Sequence, residues 1–307
     1  MSFYISDAFV QQFSGNVSHL AQQRYSRLGR CVFVDEITGE SAYLEQMAPA
    51  AARKVLARHE DSPIMNTQSL RRRIAPYDYE WGDLIDKEDQ VRLLIDPESN
   101  YAKAGGMAME RSKDDEIIAS FFGTAYTGHS GSTAVTWPNG NTESTPSAPG
   151  GYVVAVNSWA YGNGSGNAGL TISKLIEAKV ALDQAEADEE DERYLVISGK
   201  ALGQLLATTE ATNEDYNSVK ALVKGEITEF LGFKFIRSER LLTDSNGYRR
   251  CVAFTKTGIG LGIAKDIYTK VAERPDKRFS WYVYAAESLG AARLEEARLV
   301  EIKCLNA

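Results

Sequence analysis

The chain has 307 residues, of which 43% are hydrophobic and 25% charged, values typical of globular proteins and unlike disordered chains. Its formal net charge of −8 disfavours nucleic-acid reading as the main task, because phosphate-binding proteins usually present a basic surface. The three cysteines lie far apart and form no CxxC motif, which argues against a disulfide framework. No apolar run approaches the roughly 20 residues of a membrane span, and the N-terminus lacks the features of a secretion signal. We therefore expect a soluble protein that folds in the cytoplasm.

The first third of the chain predicts segments that cannot fold alone. Residues 1–29 carry apolar side chains at roughly helical spacing, which predicts an amphipathic arm lying on another surface. In residues 30–48, alternating valines followed by a T-G-E turn predict a β-hairpin. Residues 69–86 look extended again, and Pro76 within them favours an edge strand or an exposed ribbon.

A long helix is predicted from the next segment. Asp96 can cap its N-terminus, Pro97 suits the first helical position, and the helix can run to about Phe122. Its C-terminal part carries apolar residues at helical spacing, whereas the charged residues 110–116 are expected to be solvated. A long helix that is buried mainly at its C-terminal part suggests a strut.

The remainder of the chain mixes helices with strands. Residues 123–150 are rich in Gly, Ser, Thr and Pro, which predicts a loop or a loose hairpin. A strand, a glycine-rich turn and a helix over about 171–187 follow, and further strands come after them. Two final strands are expected with a turn near Gly290. The whole pattern predicts an α+β fold.

One glycine-rich turn carries a possible catalytic signature. Gly164, Gly166 and Gly169 spell G-x-G-x-x-G between a predicted strand and a predicted helix, as in dinucleotide cradles. A dinucleotide-binding unit also needs an acidic residue at the end of the next strand, and that strand ends at Ser198 without one. We therefore interpret the turn as a flexible surface loop that binds no nucleotide. A nucleotide-dependent enzyme using this 164–169 loop is kept as an alternative.

Other catalytic motifs are incomplete. The G-H-S-G-S stretch at 128–132 lacks the last glycine of a nucleophile elbow, and K-T-G at 256–258 lacks its companion motifs. The three histidines are scattered and form no metal-binding pattern. We predict no catalytic residue, no bound cofactor and no metal. Arms and ribbons bury surface only against another copy, which favours an assembly protein over the second alternative, a monomeric decoration or binding protein.

The one basic cluster comprises Arg71, Arg72 and Arg73. Side chains alternate across a strand, so three adjacent arginines cannot all point the same way, and we expect at least one to reach another subunit. Arginine binds carboxylates through paired hydrogen bonds, and acidic residues of the long helix are the expected partners. These suspected intersubunit contacts are Glu110, Asp114, Asp115 and Glu116.

Several blocks of the sequence resemble one protein family. Residues 71–125, beginning "RRRIAPYDYEWGDLID", resemble the segment that leads into the long helix of the major capsid protein of tailed double-stranded-DNA bacteriophages. The similarity continues in order through "LTISKLIEAKVALD" (170–183), "ERYLVISGKALGQLL" (192–206), "EFLGFKFIRSERL" (229–241) and "GAARLEEARLVEIKC" (290–304). The chain is thus identified as similar to capsid proteins of the Hong Kong 97-type fold over most of its length.

The resemblance implies an organisation and a function. The implied regions are an N-terminal arm (1–29), an extended loop (30–90), a peripheral domain with a spine helix at about 96–122 (91–167), an axial domain (168–250) and a return to the peripheral domain (251–307). Such a chain is expected to self-assemble into hexamers and pentamers of an icosahedral shell that encloses the double-stranded DNA genome. The glycine turn would then join the peripheral and axial domains.

The resemblance also implies partners. We expect a separate scaffolding protein, because the chain begins directly with the arm, together with a portal and possibly a decoration protein. Packaged double-stranded DNA is expected on the inner face without sequence reading, and the acidic balance would limit its adhesion. The expected location is the virion capsid, with the host cytoplasm during assembly and no membrane contact.

Overall fold

The structure is a computed structural model, and the three helices and the strands that it describes form an α+β arrangement, which confirms the predicted fold class. The described residues are 22–48, 50, 52–54, 62, 64–85, 97–137, 152–162, 164–186, 191–207 and 229–306. The helices are α1 (Pro97–Phe122), α2 (Ile172–Gln184) and α3 (Gly199–Ala207). The strands are β1 (Phe33–Glu36), β2 (Ala42–Met47), β3 (Ser69–Ile74), β4 (Tyr77–Ile85), β5 (Ala125–Thr127), β6 (Thr133–Val135), β7 (Tyr152–Val154), β8 (Arg193–Ile197), β9 (Glu229–Phe230), β10 (Phe233–Arg237), β11 (Arg249–Thr255), β12 (Ile259–Arg274), β13 (Ser280–Arg293) and β14 (Leu299–Cys304).

The chain divides into two compact units. Among the described residues, unit 1 comprises 22–26, 77–85, 97–113 and 265–289. Unit 2 comprises the remaining described residues of 27–76, 114–264 and 290–306. Helix α1 and the long strands β12 and β13 contribute residues to both units, so the chain passes between the units several times.

The core of unit 2 is a six-stranded sheet with the strand order β7-β14-β11-β8-β10-β9. Every residue of β8 and of β14 is buried, as expected for strands covered on both faces. Helix α2 contributes the buried side chains of Leu175, Ala178 and Leu182, which recur at helical spacing. Thr171 caps this helix by accepting a hydrogen bond from the backbone N–H of Lys174.

Two four-stranded sheets complete the fold, in the orders β2-β3-β5-β6 and β1-β12-β13-β4. The predicted hairpin within residues 30–48 is wrong, because β1 pairs in parallel with β12 while β2 pairs with β3 in the other sheet. Alternation of apolar residues indicates a strand but does not identify its partner. Of the predicted ribbon, β4 lies at a sheet edge, whereas β3 lies between β2 and β5.

The two predicted final strands are present as β13 and β14, but the turn between them does not lie at Gly290, because β13 continues through this residue to Arg293. A Cβ atom at Gly290 would lie 2.1 Å from the carbonyl oxygen of Ala75, so the glycine permits a close approach of two backbones. The chain instead turns after Arg293, and a short 3₁₀ helix at Glu296–Arg298 leads into β14.

Helix α1 begins at Pro97 and ends at Phe122, close to the predicted bounds. Ile117 and Phe121 are completely buried, in line with the predicted apolar face. The expectation that residues 110–116 are solvated is wrong for Asp114, whose side chain is 0% exposed. Asp114 accepts hydrogen bonds from the backbone N–H groups of Arg27 and Leu28, which satisfy the buried carboxylate.

Candidate assembly contacts and buried charges

The glycine-rich turn is an exposed loop in which side chains lie against two of the three motif glycines. A Cβ atom at Gly164 would lie 2.3 Å from the ring of Trp159, and one at Gly169 would lie 2.1 Å from the side chain of Gln204. The indole of Trp159 also donates a 2.9 Å hydrogen bond to the carbonyl oxygen of Gly166. Side chains thus lie against two of the three glycines of the motif, whereas a Cβ atom at Gly166 would meet nothing within 4 Å.

Lys174 ties this loop to the sheet of unit 2. Its side chain is 0% exposed, and its ammonium donates 2.8 Å hydrogen bonds to the carbonyl oxygens of Ala168 and Lys303. Burial lowers the pKa of the Lys174 ammonium, because desolvation disfavours the charged form. The backbone N–H of Leu305 also donates to Ala168. Residues 164–167 are exposed, as expected of a surface loop, and hydrogen bonds to Ala168 hold its C-terminal end. The flexibility of the loop stays a prediction.

The three adjacent arginines alternate across β3. Arg71 pairs with Glu45 on the neighbouring strand β2 at 3.3 Å and lies 5.7 Å from the ring centroid of Tyr43. Arg73 shares this face of the sheet, in register with Tyr43 on one side and Tyr126 on the other. This face remains partly exposed and presents two arginines with two tyrosines.

Arg72 faces the interior of unit 2. It is only 9% exposed, its Nε donates a 2.9 Å hydrogen bond to the carbonyl oxygen of Leu294, and its guanidinium pairs with Glu296 at 2.5 Å. The same carboxylate accepts a 3.1 Å hydrogen bond from Arg293. We call Arg72, Arg293 and Glu296 the Glu296 cluster.

Arg293 is the most deeply placed member of the Glu296 cluster, with 0% exposure. Its guanidinium donates to the carbonyl oxygens of Phe121 at 2.9 Å, Gly123 at 3.0 Å and Val135 at 3.1 Å. The bonds to Phe121 and Gly123 satisfy carbonyl groups that a helix leaves unpaired at its C-terminus. Sequence reasoning missed this cluster, because the run R-L-E-E at 293–296 looks like any solvated charged stretch.

The predicted acidic residues of α1 have partners of their own within the chain. Asp115 forms an ion pair with Arg240, and Glu110 accepts a 2.8 Å hydrogen bond from the backbone N–H of Ser26. Asp114 is occupied by the backbone of Arg27 and Leu28, as described above. None of these intrachain contacts joins an arginine of β3 to a carboxylate of α1. The expected intersubunit contacts between these arginines and the carboxylates, Glu116 included, stay a prediction.

The described part of the chain offers no group of three or more His, Cys, Asp or Glu residues that could hold a metal ion. None of the helices described by the structure is both long enough and apolar enough to cross a membrane. What the structure presents instead is a partly exposed face of arginines and tyrosines and several buried charges.

A comparison with protein families decides what kind of chain this is. The model of the phage capsid protein family matches residues 5–306. The chain belongs to the phage capsid protein family. This membership confirms the resemblance seen in the sequence, although no curated sequence is significantly similar to the chain.

Solved capsid structures share the fold of this capsid protein over its whole length. The capsid chain of cyanophage P-SCSP1u superposes with a TM-score of 0.71 at 16% identity, covering 100% of this chain and 96% of that one. The capsid chain of the Helicobacter pylori bacteriophage KHP30 gives a TM-score of 0.69 at 9% identity, covering 99% and 98%. A native GTA particle's capsid chain gives 0.69 at 14% identity, covering 96% and 94%. The fold is of the Hong Kong 97 type.

Proposed function

We propose that this chain, a major capsid protein of a tailed bacteriophage, assembles through hexamers and pentamers into an icosahedral shell around a double-stranded DNA genome. The observation that carries the proposal is the family match over residues 5–306. It is supported by the near-complete mutual coverage between this chain and the three capsid chains. As a capsid protein, the chain is a component of the virion.

The domain assignment is part of the proposal. Helix α1 serves as the spine helix, the β2–β3 hairpin forms the base of the extended loop of residues 30–90, and residues 168–250 make the axial domain. The arm of residues 1–29 and the peripheral return of residues 251–307 complete it. Support comes from the length of α1, which is 26 residues, and from β8 and β10, which both lie within residues 168–250 and pair with each other in the six-stranded sheet.

The proposed partners are those that assembly of a DNA-filled shell requires. A separate scaffolding protein, a portal and possibly a decoration protein would bind the chain during assembly in the host cytoplasm. Packaged DNA would lie on the inner face of the shell. A net charge of −8 supports contact with DNA that is weak and independent of sequence, because carboxylates repel the phosphate backbone.

The nucleotide-dependent alternative finds no support at the glycine turn. The strand that follows the turn, β8, leads into Ser198 without the carboxylate that would bind a ribose. Titration calorimetry of the purified chain with NAD and ATP should therefore give flat traces. A micromolar signal that depends on this turn would revive the enzyme interpretation.

Negative-stain electron microscopy with size-exclusion chromatography tests the assembly function. We expect shells, rings or tubes on the grid and material eluting far ahead of the 33.8 kDa monomer. As a control, the same protein in mild denaturant should dissociate into subunits and elute as the monomer. A sharp monomer peak under all assembly conditions, with no particles on the grid, would contradict the proposal and would favour the monomeric decoration or binding protein.

A further inference from the structure

Two side chains of the β2–β3 hairpin converge on one backbone carbonyl. Gln46 on β2 donates a 3.0 Å hydrogen bond to the carbonyl oxygen of Leu294, and Arg72 on β3 donates a 2.9 Å bond to the same oxygen. Leu294 lies immediately after β13, outside the hairpin and outside its sheet. The hairpin is therefore fastened to the rest of unit 2 at a defined point.

Glu296 extends this attachment to the end of the long helix. One carboxylate oxygen accepts from Arg72 at 2.5 Å, and the other accepts from Arg293 at 3.1 Å. Arg293 in turn donates to the carbonyl oxygens of Phe121 and Gly123 at the C-terminus of α1. A single carboxylate thus joins an arginine of the hairpin to the arginine that caps the helix.

Burying the Glu296 cluster costs desolvation free energy, which apolar side chains in the same place would not incur. Arg72 Nη1 is buried and has no hydrogen-bond partner among the described residues. Burying charged groups is expensive, and apolar residues of similar volume often serve stability as well or better. Buried ion pairs can instead select one arrangement of neighbouring elements, since they demand specific geometry. This favours a positioning role for the Glu296 cluster.

We propose that the Glu296 cluster is a clasp that fixes the β2–β3 hairpin on unit 2 and couples its position to the C-terminal end of helix α1. Arg72 is the positioning residue of the hairpin, and Glu296 is the shared link. The clasp is a property of the single chain. It can therefore be tested whether or not the chain forms the proposed shell.

The adjacent arginine provides a matched control. Arg71 has the same side chain on the same strand, but it pairs with Glu45 on β2. Both members of that ion pair therefore lie within the hairpin. Removing the Arg71 charge should leave the attachment of the hairpin unchanged. Arg72→Gln and Arg71→Gln thus differ by one position and test opposite faces of the same strand.

Hydrogen exchange of the unassembled full-length chain, followed by mass spectrometry, measures the clasp. In Arg72→Gln we expect amides of β2 and β3 to exchange about tenfold to hundredfold faster, the range expected for losing charged hydrogen bonds. Amides of β8 and β11 should keep their rates. Arg71→Gln should match the wild-type chain. Arg72→Lys, which keeps the charge but cannot make both contacts, should fall between them.

Two further variants separate positioning from general stability. Glu296→Gln should accelerate exchange both in the hairpin and at residues 119–123, because both ends of the link are released. Gln46→Ala removes one bond to Leu294 and no charge, so it should fold normally and accelerate the hairpin amides a few-fold. The clasp would be refuted by equal exchange in Arg72→Gln and Arg71→Gln. It would equally be refuted by uniform acceleration throughout unit 2 in Arg72→Gln, with Gln46→Ala unchanged.

Discussion

Each unit contains a buried glutamate, and the hydrogen-bond partners of the two carboxyl groups differ. Glu296 in unit 2 is 8% exposed and accepts hydrogen bonds from two guanidinium groups. Glu287 in unit 1 is 2% exposed and accepts a 2.8 Å hydrogen bond from the hydroxyl of Ser112. Its second oxygen has no partner among the residues that the structure describes. Glu296 thus has two cationic partners, whereas Glu287 has none among its hydrogen-bond donors in the described ranges.

The pKa of Glu287 reflects this difference. Burial raises it from 4.5 to about 6, and the negative charges of Glu110 and Asp266 act in the same direction. The hydroxyl of Ser112 and the ammonium of Lys113 oppose the shift but do not cancel it. A buried charge is therefore tolerated where arginines surround it, and a buried carboxyl group without an arginine becomes sensitive to pH.

The largest effect is expected from removing the guanidinium that completes the Glu296 cluster. Arg293→Met should lower the free energy of unfolding by about 3–5 kcal/mol, because Glu296 loses one partner and three carbonyl oxygens lose their donor. Urea unfolding of the unassembled chain measures this. The control Arg274→Met breaks an exposed pair with Asp276 and should cost under about 1 kcal/mol. An equal loss of unfolding free energy in Arg293→Met and Arg274→Met would contradict the greater importance of the buried guanidinium.

The second prediction concerns pH and unit 1. A carboxyl group whose folded pKa is raised binds its proton more tightly in the folded state, so stability is lost as pH rises from about 4.5 through about 6. Glu287→Gln should remove this loss and stabilise unit 1 by about 2 kcal/mol at pH 7, since one pKa unit corresponds to about 1.4 kcal/mol. At pH 4 the variant and wild type should be equally stable.

Hydrogen exchange of β13 amides at several pH values, corrected for intrinsic rates, reads out this difference. The exposed residue Glu80 on the adjacent strand β4 supplies the control Glu80→Gln, which should leave the pH dependence intact. A wild-type chain whose unit 1 shows the same protection at pH 5 and pH 7 would overturn the assignment. So would a Glu287→Gln variant that is less stable than wild type at pH 7.

Local signals in the sequence predicted local structure well. Pro97 marks the start of α1, and Thr171 marks the start of α2, because proline and capping preferences act over a few residues. The predicted cap at Asp96 lies outside the described residues. The family itself was identified from ordered sequence blocks. By contrast, the partners of β1 and β2 lie far along the chain, and alternation of apolar residues says nothing about them.

The buried charges could not be predicted for a related reason. Arg72 meets Glu296 across 224 positions of sequence, and its neighbour Arg71 looks identical in composition and spacing. Likewise Asp114 is completely buried while Asp115 forms an exposed pair, and only the position of each side chain around the helix separates them. Which member of a charged run is buried depends on tertiary packing.

The smallest effect is expected at Asp115, an exposed counterpart to both glutamates. Its pair with Arg240 leaves 47% and 36% of the two side chains accessible, so Asp115→Asn should destabilise the unassembled chain by only about 0.5 kcal/mol. At about 1 M salt the difference should vanish, because such charges are screened. Asp276→Asn, which breaks another exposed pair, is the matched control.

Asp115 was also one of the residues expected to contact a second subunit, and the same variant separates the two roles. If the pair with Arg240 is its whole function, Asp115→Asn lowers the thermal stability of subunits and of assembled particles by the same small amount, as Asp276→Asn does. A contact repeated between subunits would multiply through the shell, so particles would disassemble at clearly lower temperature while the unassembled chain stayed almost unchanged. Thermal melts of the unassembled subunits and light scattering of heated particles compare the two directly. An equal small loss in both forms would remove Asp115 from the set of intersubunit contacts.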